Sequence, residues 1–467
     1  WRDAPSEELP DDERLLDHAV KRIEGLADRY SHGGVRRFFL LHRRRLWNPA
    51  EGVWMGWERK RGKLAELNAL LRDATTTSFI PTGPIPPEGI RYVVTLDSDT
   101  RLPRDAVSTL AGKMAHPVNR PVHRADGVVV RGHAIMQPRV TPSLTTGADA
   151  SVFQRVFSAN RGLDPYVFTV SDLYQDLFDV GSFTGKGIYD VDAFEAAIDD
   201  RLAENAILSH DLLEGSLARA ALVTDVEVVE DFPIRYATEA SRQHRWTRGD
   251  WQLLPMIVAP GNGLSGLARY KMVDNLRRSL VTPSWVAASI LGWLTLDGGQ
   301  AILWQGALIL LVALVPVLQI DMRVFRPGYG VSWDYHLRHM ARDALTYATQ
   351  LGLRLTTAAH RAVSSLDAIA RTMWRLFVSR KHLLEWTTAA TAGRRFNAIL
   401  ATASINDAIE YHALFKTIQA EKQAANADFK PLSIACVFSP PAELAENEEA
   451  KKDIKQLSGD LPQEQED

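Results

Sequence analysis

The stretch "YVVTLDSDTRLP", residues 92–103, is an apolar run that leads directly into two carboxylates, Asp97 and Asp99. The apolar pattern predicts a buried strand, and open α/β sheets bind their ligands beside strand ends. Mg²⁺ and Mn²⁺ prefer one or two carboxylates together with phosphate oxygens of a substrate. Alternatively, the acidic residues form a turn, and Asp99 begins the helix that "RDAVSTLAGKM" indicates. The residues alone leave both interpretations open.

Composition excludes several classes of protein. The 467 residues are 46% hydrophobic and 24% charged, as expected for a folded protein of two or three domains. A net charge of −3 excludes a globally basic nucleic-acid binder. One cysteine, Cys436, excludes an internal disulfide and favours a reducing compartment. Because the sequence starts at Trp1 without a preceding signal peptide, we interpret it as a fragment of a longer protein.

Helical and strand patterns alternate as far as about residue 255, which predicts an α/β fold. Residues 11–30 have the apolar spacing of a helix, and residues 36–47 contain a short strand flanked by arginines. A basic loop follows, and a second helix is expected to begin near Gly62 and Lys63. These elements precede the strand predicted in the stretch 92–103.

Two uncharged runs, residues 280–296 and 301–320, come next. Their lengths and the polar turn between them favour a transmembrane hairpin over two buried core helices. Trp285, Trp293 and Trp304 are suited to the membrane interface. Because both flanks are basic, both ends of the hairpin are expected on the cytoplasmic side.

Residues 333–386 alternate arginines with apolar side chains, a pattern typical of helices that lie on a membrane or pack beside another helix. Beyond Thr391 the membrane character ends, and a strand, a helix and a strand are predicted. An acidic tail follows from about residue 442, and its composition predicts disorder.

The segment "DVGSFTGKGIYDVDAF", residues 179–194, contains Gly185, Lys186 and Gly187. Glycines allow a backbone to approach phosphates closely, although this spacing is not that of a Walker motif. A plain turn before a helix at Val191 explains the same residues. The loop alone therefore does not identify a binding site.

In "ILSHDLLEGSLARAA", residues 207–221, Asp211 comes just before a predicted helix, with Glu214 three residues later. This spacing is that of a capping box, so Asp211 is a candidate helix N-cap. It is equally a candidate general base, since a carboxylate at a helix start can be held ionised.

Residues 239–252, "EASRQHRWTRGDWQ", concentrate arginine and tryptophan, including Arg245, Trp246 and Arg248. Arginines suit a diphosphate leaving group, and an indole face suits a sugar ring. The segment is therefore a candidate donor and acceptor surface.

The order of these segments resembles the processive, inverting GT-A glycosyltransferases. More closely, the segments 38–68, 92–106, 178–194 and 245–255 resemble the glycosyltransferase region of bacterial cyclic β-1,2-glucan synthases over roughly residues 1–390. The resemblance implies a UDP-glucose donor, a growing glucan as acceptor, contact with membrane lipid and no nucleic acid for residues 1–390. It also implies a bacterial inner-membrane location with a cytoplasmic catalytic domain.

The resemblance also implies roles for particular residues. Asp97 and Asp99 would bind Mg²⁺ or Mn²⁺, and Asp211 would accept the proton of the acceptor 2-hydroxyl. The further donor and acceptor contacts would come from a group of basic, glycine and tryptophan residues: Lys63, Gly185, Lys186, Gly187, Arg245, Trp246 and Arg248. Arg242 stands where the family's Gln-x-x-Arg-Trp signature has glutamine, and Gln243 follows it.

The implied organisation is a GT-A-like domain whose opening strands would precede Trp1, followed by membrane-associated and unrelated segments. Its parts are a GT-A-like domain at 1–270, a transmembrane hairpin at 271–325, interfacial helices at 326–392, a βαβ fragment at 393–441 and a tail at 442–467. Residues 394–467 resemble the helicase region of the type I restriction motor subunit, without a Walker lysine loop, and we interpret the junction as an accidental fusion. A DNA-translocase fragment and a non-catalytic membrane scaffold remain the alternative functions.

Overall fold

A computed structural model provides the fold. It describes residues 1–30, 35–87, 89–143, 151–157, 172–198, 201–324 and 332–385, with positions 417 and 423–424, and within 315–324 it describes the backbone only. The chain divides into two compact units, Trp1–Ala392 and Gly393–Asp467. The predictions of a βαβ fragment and of a disordered tail concern the second unit and lie outside the described residues.

The described part of the first unit contains helices throughout its length and short strands in its N-terminal half. The α-helices are α1 Asp12–Tyr30, α2 Arg59–Leu70, α3 Ala106–Ala115, α4 Val152–Phe157, α5 Leu173–Phe178, α6 Val191–Ile198, α7 Asp211–Leu217, α8 Tyr236–Gln252, α9 Leu254–Val258, α10 Gly266–Thr295, α11 Gly298–Val324, α12 Trp333–Thr356 and α13 Ala358–Trp374. The strands are β1 His42–Arg43, β2 Leu46–Asn48, β3 Val53–Met55, β4 Phe79–Ile80, β5 Tyr92–Thr95, β6 Val122–His123, β7 Val129–Arg131, β8 Ile135–Pro142, β9 Gly187–Asp190 and β10 Ala220–Glu230. The mixture confirms the predicted α/β class.

The central sheet has four strands in the order β10-β8-β9-β5. Strands β8 and β10 are parallel, whereas β9 runs antiparallel to both β8 and β5. Alternate residues of the strands pack on opposite faces, as a two-residue period requires. Met136 and Ile188 pack with Leu110 of α3, whereas Ile135 and Tyr189 pack in the core that contains α6. The sheet is thus a middle layer between helices.

Strand β10 bends where its register with β8 shifts between Val223 and Glu227. A bulge of this kind increases the local twist of a strand. The far end of β10 then pairs with the segment that follows β5, through an isolated bridge between Val229 and Arg101. The bend therefore brings Glu230 to the end of β5, although β5 and β10 lie at opposite edges of the sheet.

The structure corrects three predictions for this part of the chain. Asp99 does not cap α3, because the N-cap of that helix is Asp105. Helix α2 begins at Arg59 rather than near Gly62, so Lys60 belongs to its first turn. The Gly-Lys-Gly segment does not form a plain turn before α6, because strand β9 starts at Gly187 and continues directly into that helix.

Helices α10 and α11 form an antiparallel hairpin that contains nearly all of the first uncharged run and the whole of the second. Trp285 donates a hydrogen bond to the carbonyl of Leu308, 3.0 Å away, and Trp304 donates one to Ala288 at 2.9 Å. Within the described stretches, no helix combines the length and apolar character of a membrane span. The side chains of residues 315–320 lie outside those stretches, and the structure does not show a transmembrane hairpin.

The arginine-rich helices follow this hairpin, and α13 packs against α8 and α10. An ion pair of 2.9 Å between His244 Nε2 and Asp367 Oδ2 joins α13 to α8. Tyr236 and His360 add a hydrogen bond of 2.8 Å between the same helices. The second alternative for this segment, packing beside a neighbouring helix, is therefore the one observed for α13.

Candidate active site

A cleft of about 2020 Å³ runs between the carboxyl edge of the sheet and helices α7, α8 and α13. Its walls include Asp97, Asp99 and Lys186 on the sheet side and Asp211 on α7. The cleft collects residues from segments more than 100 positions apart in the chain. It is the place where the candidate site residues meet.

Asp97 lies between two lysines. Lys60 Nζ is 2.5 Å from Asp97 Oδ1, and Lys186 Nζ is 3.3 Å from Asp97 Oδ2. Burial opposes the charged carboxylate, but the two ammonium groups outweigh this effect and lower the pKa of Asp97. Asp97 is therefore a carboxylate at neutral pH, and the two lysine side chains balance its negative charge.

A third carboxylate joins the pair that follows β5. Glu230, at the end of β10, accepts a hydrogen bond from Thr100 at 2.9 Å and pairs with Lys186 at 2.8 Å. Oxygen atoms of Asp97, Asp99 and Glu230 all lie within 4.8 Å of one another. Carboxylate oxygens at this spacing fit a hard divalent cation, which takes oxygen ligands and shares its remaining positions with a phosphate. The donor set is thus compatible with Mg²⁺ or Mn²⁺.

Gly185 separates this acidic cluster from Asp211. Its carbonyl accepts a hydrogen bond of 3.0 Å from Lys60, the lysine that also pairs with Asp97. Its φ is +84°, and a Cβ at this position would lie 2.8 Å from Asp211 Oδ1. Glycine is required here because it tolerates a positive φ and leaves space beside the carboxylate. The Gly-Lys-Gly segment therefore reaches both acidic groups of the cleft.

Asp211 is the first residue of α7, and its side chain is 31% exposed. The neighbouring His210 and Glu214 are buried, and His210 Nδ1 lies 2.8 Å from Glu214 Oε1 and 3.7 Å from Asp211 Oδ1. Burial raises the pKa of Asp211, and the charge of Glu214 raises it further. The pKa of His210 is also raised, because Glu214 and Asp211 outweigh the effect of burial.

The capping-box interpretation of Asp211 is wrong. The N-cap of α7 is His210, which makes no side-chain capping hydrogen bond, and Asp211 is already helical. Glu214 pairs with the imidazole of His210 instead of closing a capping box. The carboxylate of Asp211 consequently remains available to the cleft.

Helix α8 supplies the basic wall of the cleft. The guanidinium of Arg242 lies 4.8 Å from the ring centre of Trp246 and pairs with Glu239 at 2.7 Å. Gln243 is exposed and donates to the other oxygen of Glu239 at 2.8 Å. Burial lowers the pKa of Arg245, and the charge of Arg242 lowers it further. The carboxylate of Asp97 acts in the opposite direction. Arg245 and Trp246 both line the cleft, as does Gln243.

Two predicted binding residues lie elsewhere. The guanidinium of Arg248 is buried and directed to Glu385 and the carbonyl of His382, at 3.6 and 3.4 Å, and is not part of the cleft wall. Lys63 is exposed on α2 and does not line the cleft. Lys60, three residues earlier, occupies the position beside Asp97.

Sequence reasoning missed Lys60, Glu230 and an aromatic group in the cleft. The ring centre of Phe153 lies 5.9 Å from that of Phe232 and 6.0 Å from that of Tyr236. Lys60 belongs to the basic run at 59–63, but only the structure shows which side chain of this run reaches Asp97. Glu230 had the same signal as Asp97, namely an acidic residue at the end of an apolar strand.

Comparison with known proteins agrees with both resemblances found in the sequence. Over 391 residues, or 84% of its length, the chain is 57% identical to Cyclic beta-(1,2)-glucan synthase NdvB of Rhizobium meliloti (strain 1021). The chain spans 14% of the length of that curated relative. A family model described as Type I restriction enzyme subunit R domain 3 matches residues 394–466. Most of the chain is thus similar to one part of a cyclic β-1,2-glucan synthase, and its C-terminal residues are similar to a domain of a type I restriction enzyme.

Proposed function

We propose that residues 1–390 form an inverting, membrane-associated glycosyltransferase of GT-A type that transfers glucose from UDP-glucose to a growing β-1,2-glucan. The similarity to a glucan synthase supports glucan synthesis in general. One observation carries the mechanism: the carboxylates at 97, 99 and 230 and the carboxylate of Asp211 line one cleft, and Gly185 lies beside Asp211 while its carbonyl bonds the lysine that pairs with Asp97. An inverting transfer needs two groups at separate places. One stabilises the charge on the leaving diphosphate, and the other accepts the proton of the nucleophile.

In this mechanism Asp211 accepts the proton of the acceptor 2-hydroxyl. The acceptor oxygen forms a bond to the anomeric carbon of glucose while the bond from that carbon to the diphosphate oxygen breaks. The bonding electrons leave with UDP, and the α-linked donor gives a β-linked product. Gly185 leaves open the space beside the Asp211 carboxylate, where the acceptor hydroxyl must lie.

Asp97 and Asp99, with Glu230, would hold Mg²⁺ or Mn²⁺. When bound there, the ion would stabilise the negative charge that develops on the diphosphate. Lys60 and Lys186 neutralise the carboxylates in the absence of substrate and would then be available to diphosphate oxygens. Arg245 adds a guanidinium to the same wall, which suits a diphosphate.

The acceptor glucan would lie along Trp246 and the aromatic group of Phe153, Phe232 and Tyr236, because aromatic faces pack well against sugar rings. All four side chains line the cleft.

We also propose that the hairpin of α10 and α11 contacts membrane lipid at a bacterial inner membrane, with the catalytic unit on the cytoplasmic side. Large apolar side chains are exposed along it, with Leu294 and Leu303 both 76% exposed. Exposed apolar surface of this extent is typical of interaction sites. Flotation of the chain with anionic vesicles, lost in Leu294→Glu with Leu303→Glu, tests this proposal. Unchanged flotation would contradict it.

The catalytic proposal is tested with UDP-[¹⁴C]glucose, Mg²⁺ and a short β-1,2-gluco-oligosaccharide. We expect label in the oligosaccharide, and we expect Asp211→Asn to lower the rate about 10²–10⁴-fold, the contribution of general base catalysis. Binding of UDP-glucose should remain within twofold, because the base acts on the acceptor. Undiminished transfer by Asp211→Asn would refute the assigned base, and absence of transfer by the unmodified chain would favour a scaffold role.

A further inference from the structure

Two buried side chains behind the cleft have no role in the mechanism described so far. His210 and Glu214 retain only 8% and 4% of their side-chain exposure, and neither lines the cleft. Both nevertheless contact or closely approach Asp211, which does line it. Ionisable groups are rarely buried unless they are paired, and these two are paired with each other.

The geometry favours a positive charge at His210. Atoms of Glu214 and Asp211 lie within 4.8 Å of each other, so two carboxylates share one small, largely buried volume. Two like charges at this separation cannot both persist in a poorly solvated site without a cation between them. The Nδ1 atom of His210 lies 2.8 Å from Glu214 Oε1 and 3.7 Å from Asp211 Oδ1, and a protonated imidazole at this place supplies a positive charge to both carboxylates.

The surrounding charges are consistent with this arrangement. His210 faces Glu214, Asp211 and Arg61, and the charge of Arg61 is itself neutralised by Glu58 at 2.7 Å. Asp211 faces His210 and Glu214 on its own segment and Lys60 and Lys186 across the cleft. The two lysines are already committed to Asp97, and Lys186 also to Glu230. His210 is therefore the nearest cation to Asp211 that the described side chains provide.

We infer that His210 and Glu214 are positioning residues for the general base: Glu214 keeps the imidazole of His210 protonated, and that imidazolium keeps Asp211 ionised inside the protein. The inference rests on the proposed role of Asp211. It explains how a carboxylate can remain a competent proton acceptor where burial alone favours its neutral form. It also explains the i,i+4 spacing of His210 and Glu214, which places both on one side of α7.

The pH profile of glucose transfer tests the inference. The acid limb reports the protonation of Asp211, and His210→Gln removes the charge that favours its ionised form. We expect this variant to move the acid limb upward by about one pH unit, the shift that a charge a few ångströms away produces. His210→Lys, which restores a positive charge, should move the limb back. Glu214→Gln should move it downward, because a repelling carboxylate is removed while His210 is still protonated at acid pH.

The opposite directions distinguish this role from a structural one. A variant that merely disturbs α7 lowers the rate at every pH without moving the limb. His133→Gln is a matched control, because His133 is equally buried but bonds the carbonyl of Arg219 at 3.0 Å and does not line the cleft. Its acid limb should equal that of the unmodified chain. Equal limbs in His210→Gln and Glu214→Gln would overturn the inference while leaving the role of Asp211 intact, provided that Asp211→Asn is inactive.

A measurement without turnover gives a second test. In the ¹³C-histidine-labelled chain, the signal that His210→Gln removes should titrate above the ordinary value of 6.5. In Glu214→Gln its midpoint should fall, because the imidazolium loses its nearest partner. A midpoint at or below 6.5 in the unmodified chain, or one that Glu214→Gln leaves unchanged, would overturn the inference whatever the transfer assay shows.

Discussion

The two acidic groups of the cleft differ in how their negative charge is balanced. At the sheet edge, Asp97 and Glu230 are neutralised by the flexible side chains of Lys60 and Lys186, which also line the cleft. At the start of α7, Asp211 and Glu214 are balanced by the buried His210. The two lysines line the cleft, where an incoming cation or phosphate can displace them from the carboxylates, whereas His210 lies behind the cleft wall. The difference suits the first group to binding and the second to proton transfer.

After the loss of the general base, the largest effect is expected from the sheet-edge group. Asp97→Asn removes the carboxylate that both lysines neutralise and should lower transfer about 10²–10³-fold, because charge on the leaving diphosphate is no longer compensated. Rates measured at saturating UDP-glucose and Mg²⁺ check this prediction. Asp225→Asn is the control, since Asp225 is exposed, pairs with Lys113 at 2.9 Å and does not line the cleft. Activity of Asp97→Asn at the level of this control would remove the basis for the metal site.

The separation between the two groups is tested by Gly185→Ala. An added Cβ would lie 2.8 Å from Asp211 Oδ1 and should lower the transfer rate about 10²-fold through misplacement of the base. Gly89→Ala is matched in backbone conformation, with φ +75° against +84°, but has nothing within 4 Å of the added atom. Both variants should lose about 1 kcal/mol of unfolding free energy from the positive φ. Only Gly185→Ala should lose activity, and equal activities would show that the space beside Asp211 is not used.

The agreement between sequence and structure depends on how local each signal is. The strand at 92–95 and its terminal carboxylates were predictable, because alternation and strand ends are properties of a few consecutive residues. Glu230 was not predictable as their partner, since its position depends on the bulge in β10 and on the bridge to Arg101. Glu230 can be identified in the sequence as an acidic residue at a strand end, but the bend in β10 that brings it to the end of β5 cannot.

Two predictions were wrong for different reasons. One was the choice of Lys63 as the lysine of the site, and the other was the capping-box role of Glu214. Helix α2 begins at Arg59 and not near Gly62, and the side chain that reaches Asp97 comes from Lys60 in its first turn, so the position of the basic run alone does not select the lysine of the site. The spacing from Asp211 to Glu214 fits a capping box, and the spacing from His210 to Glu214 fits an ion pair equally well. Only the three-dimensional contact of 2.8 Å decides between them.

A smaller effect concerns the exchange of counter-ions at the sheet edge. Lys186→Gln removes a cation that pairs with both Asp97 and Glu230, so Mn²⁺ should bind about fivefold more tightly, as expected when two mutually exclusive cations no longer compete. Titration calorimetry with Mn²⁺ alone measures this change. Weaker binding would indicate that Lys186 orders the carboxylates instead of competing for them.

The smallest effect is expected at Lys63. Lys63→Ala should leave UDP-glucose affinity and transfer unchanged, because this side chain is exposed and lies outside the cleft. Lys60→Ala should weaken UDP-glucose binding, since Lys60 contacts both Asp97 and the carbonyl of Gly185. The reverse ranking of the two dissociation constants would support the sequence-based choice of Lys63.

The most direct test of the division between binding and proton transfer is the affinity for UDP in the presence of Mn²⁺, measured side by side for the unmodified chain, Asp97→Asn and Asp211→Asn. The arrangement of the cleft predicts that Asp97→Asn loses Mn²⁺-dependent UDP binding, because it removes a carboxylate of the sheet-edge group. Asp211→Asn should bind UDP as tightly as the unmodified chain, since Asp211 is not one of the three carboxylates that would hold the metal. Equal loss of UDP binding in both variants, or full retention in both, would contradict the assignment of the two acidic groups to separate functions.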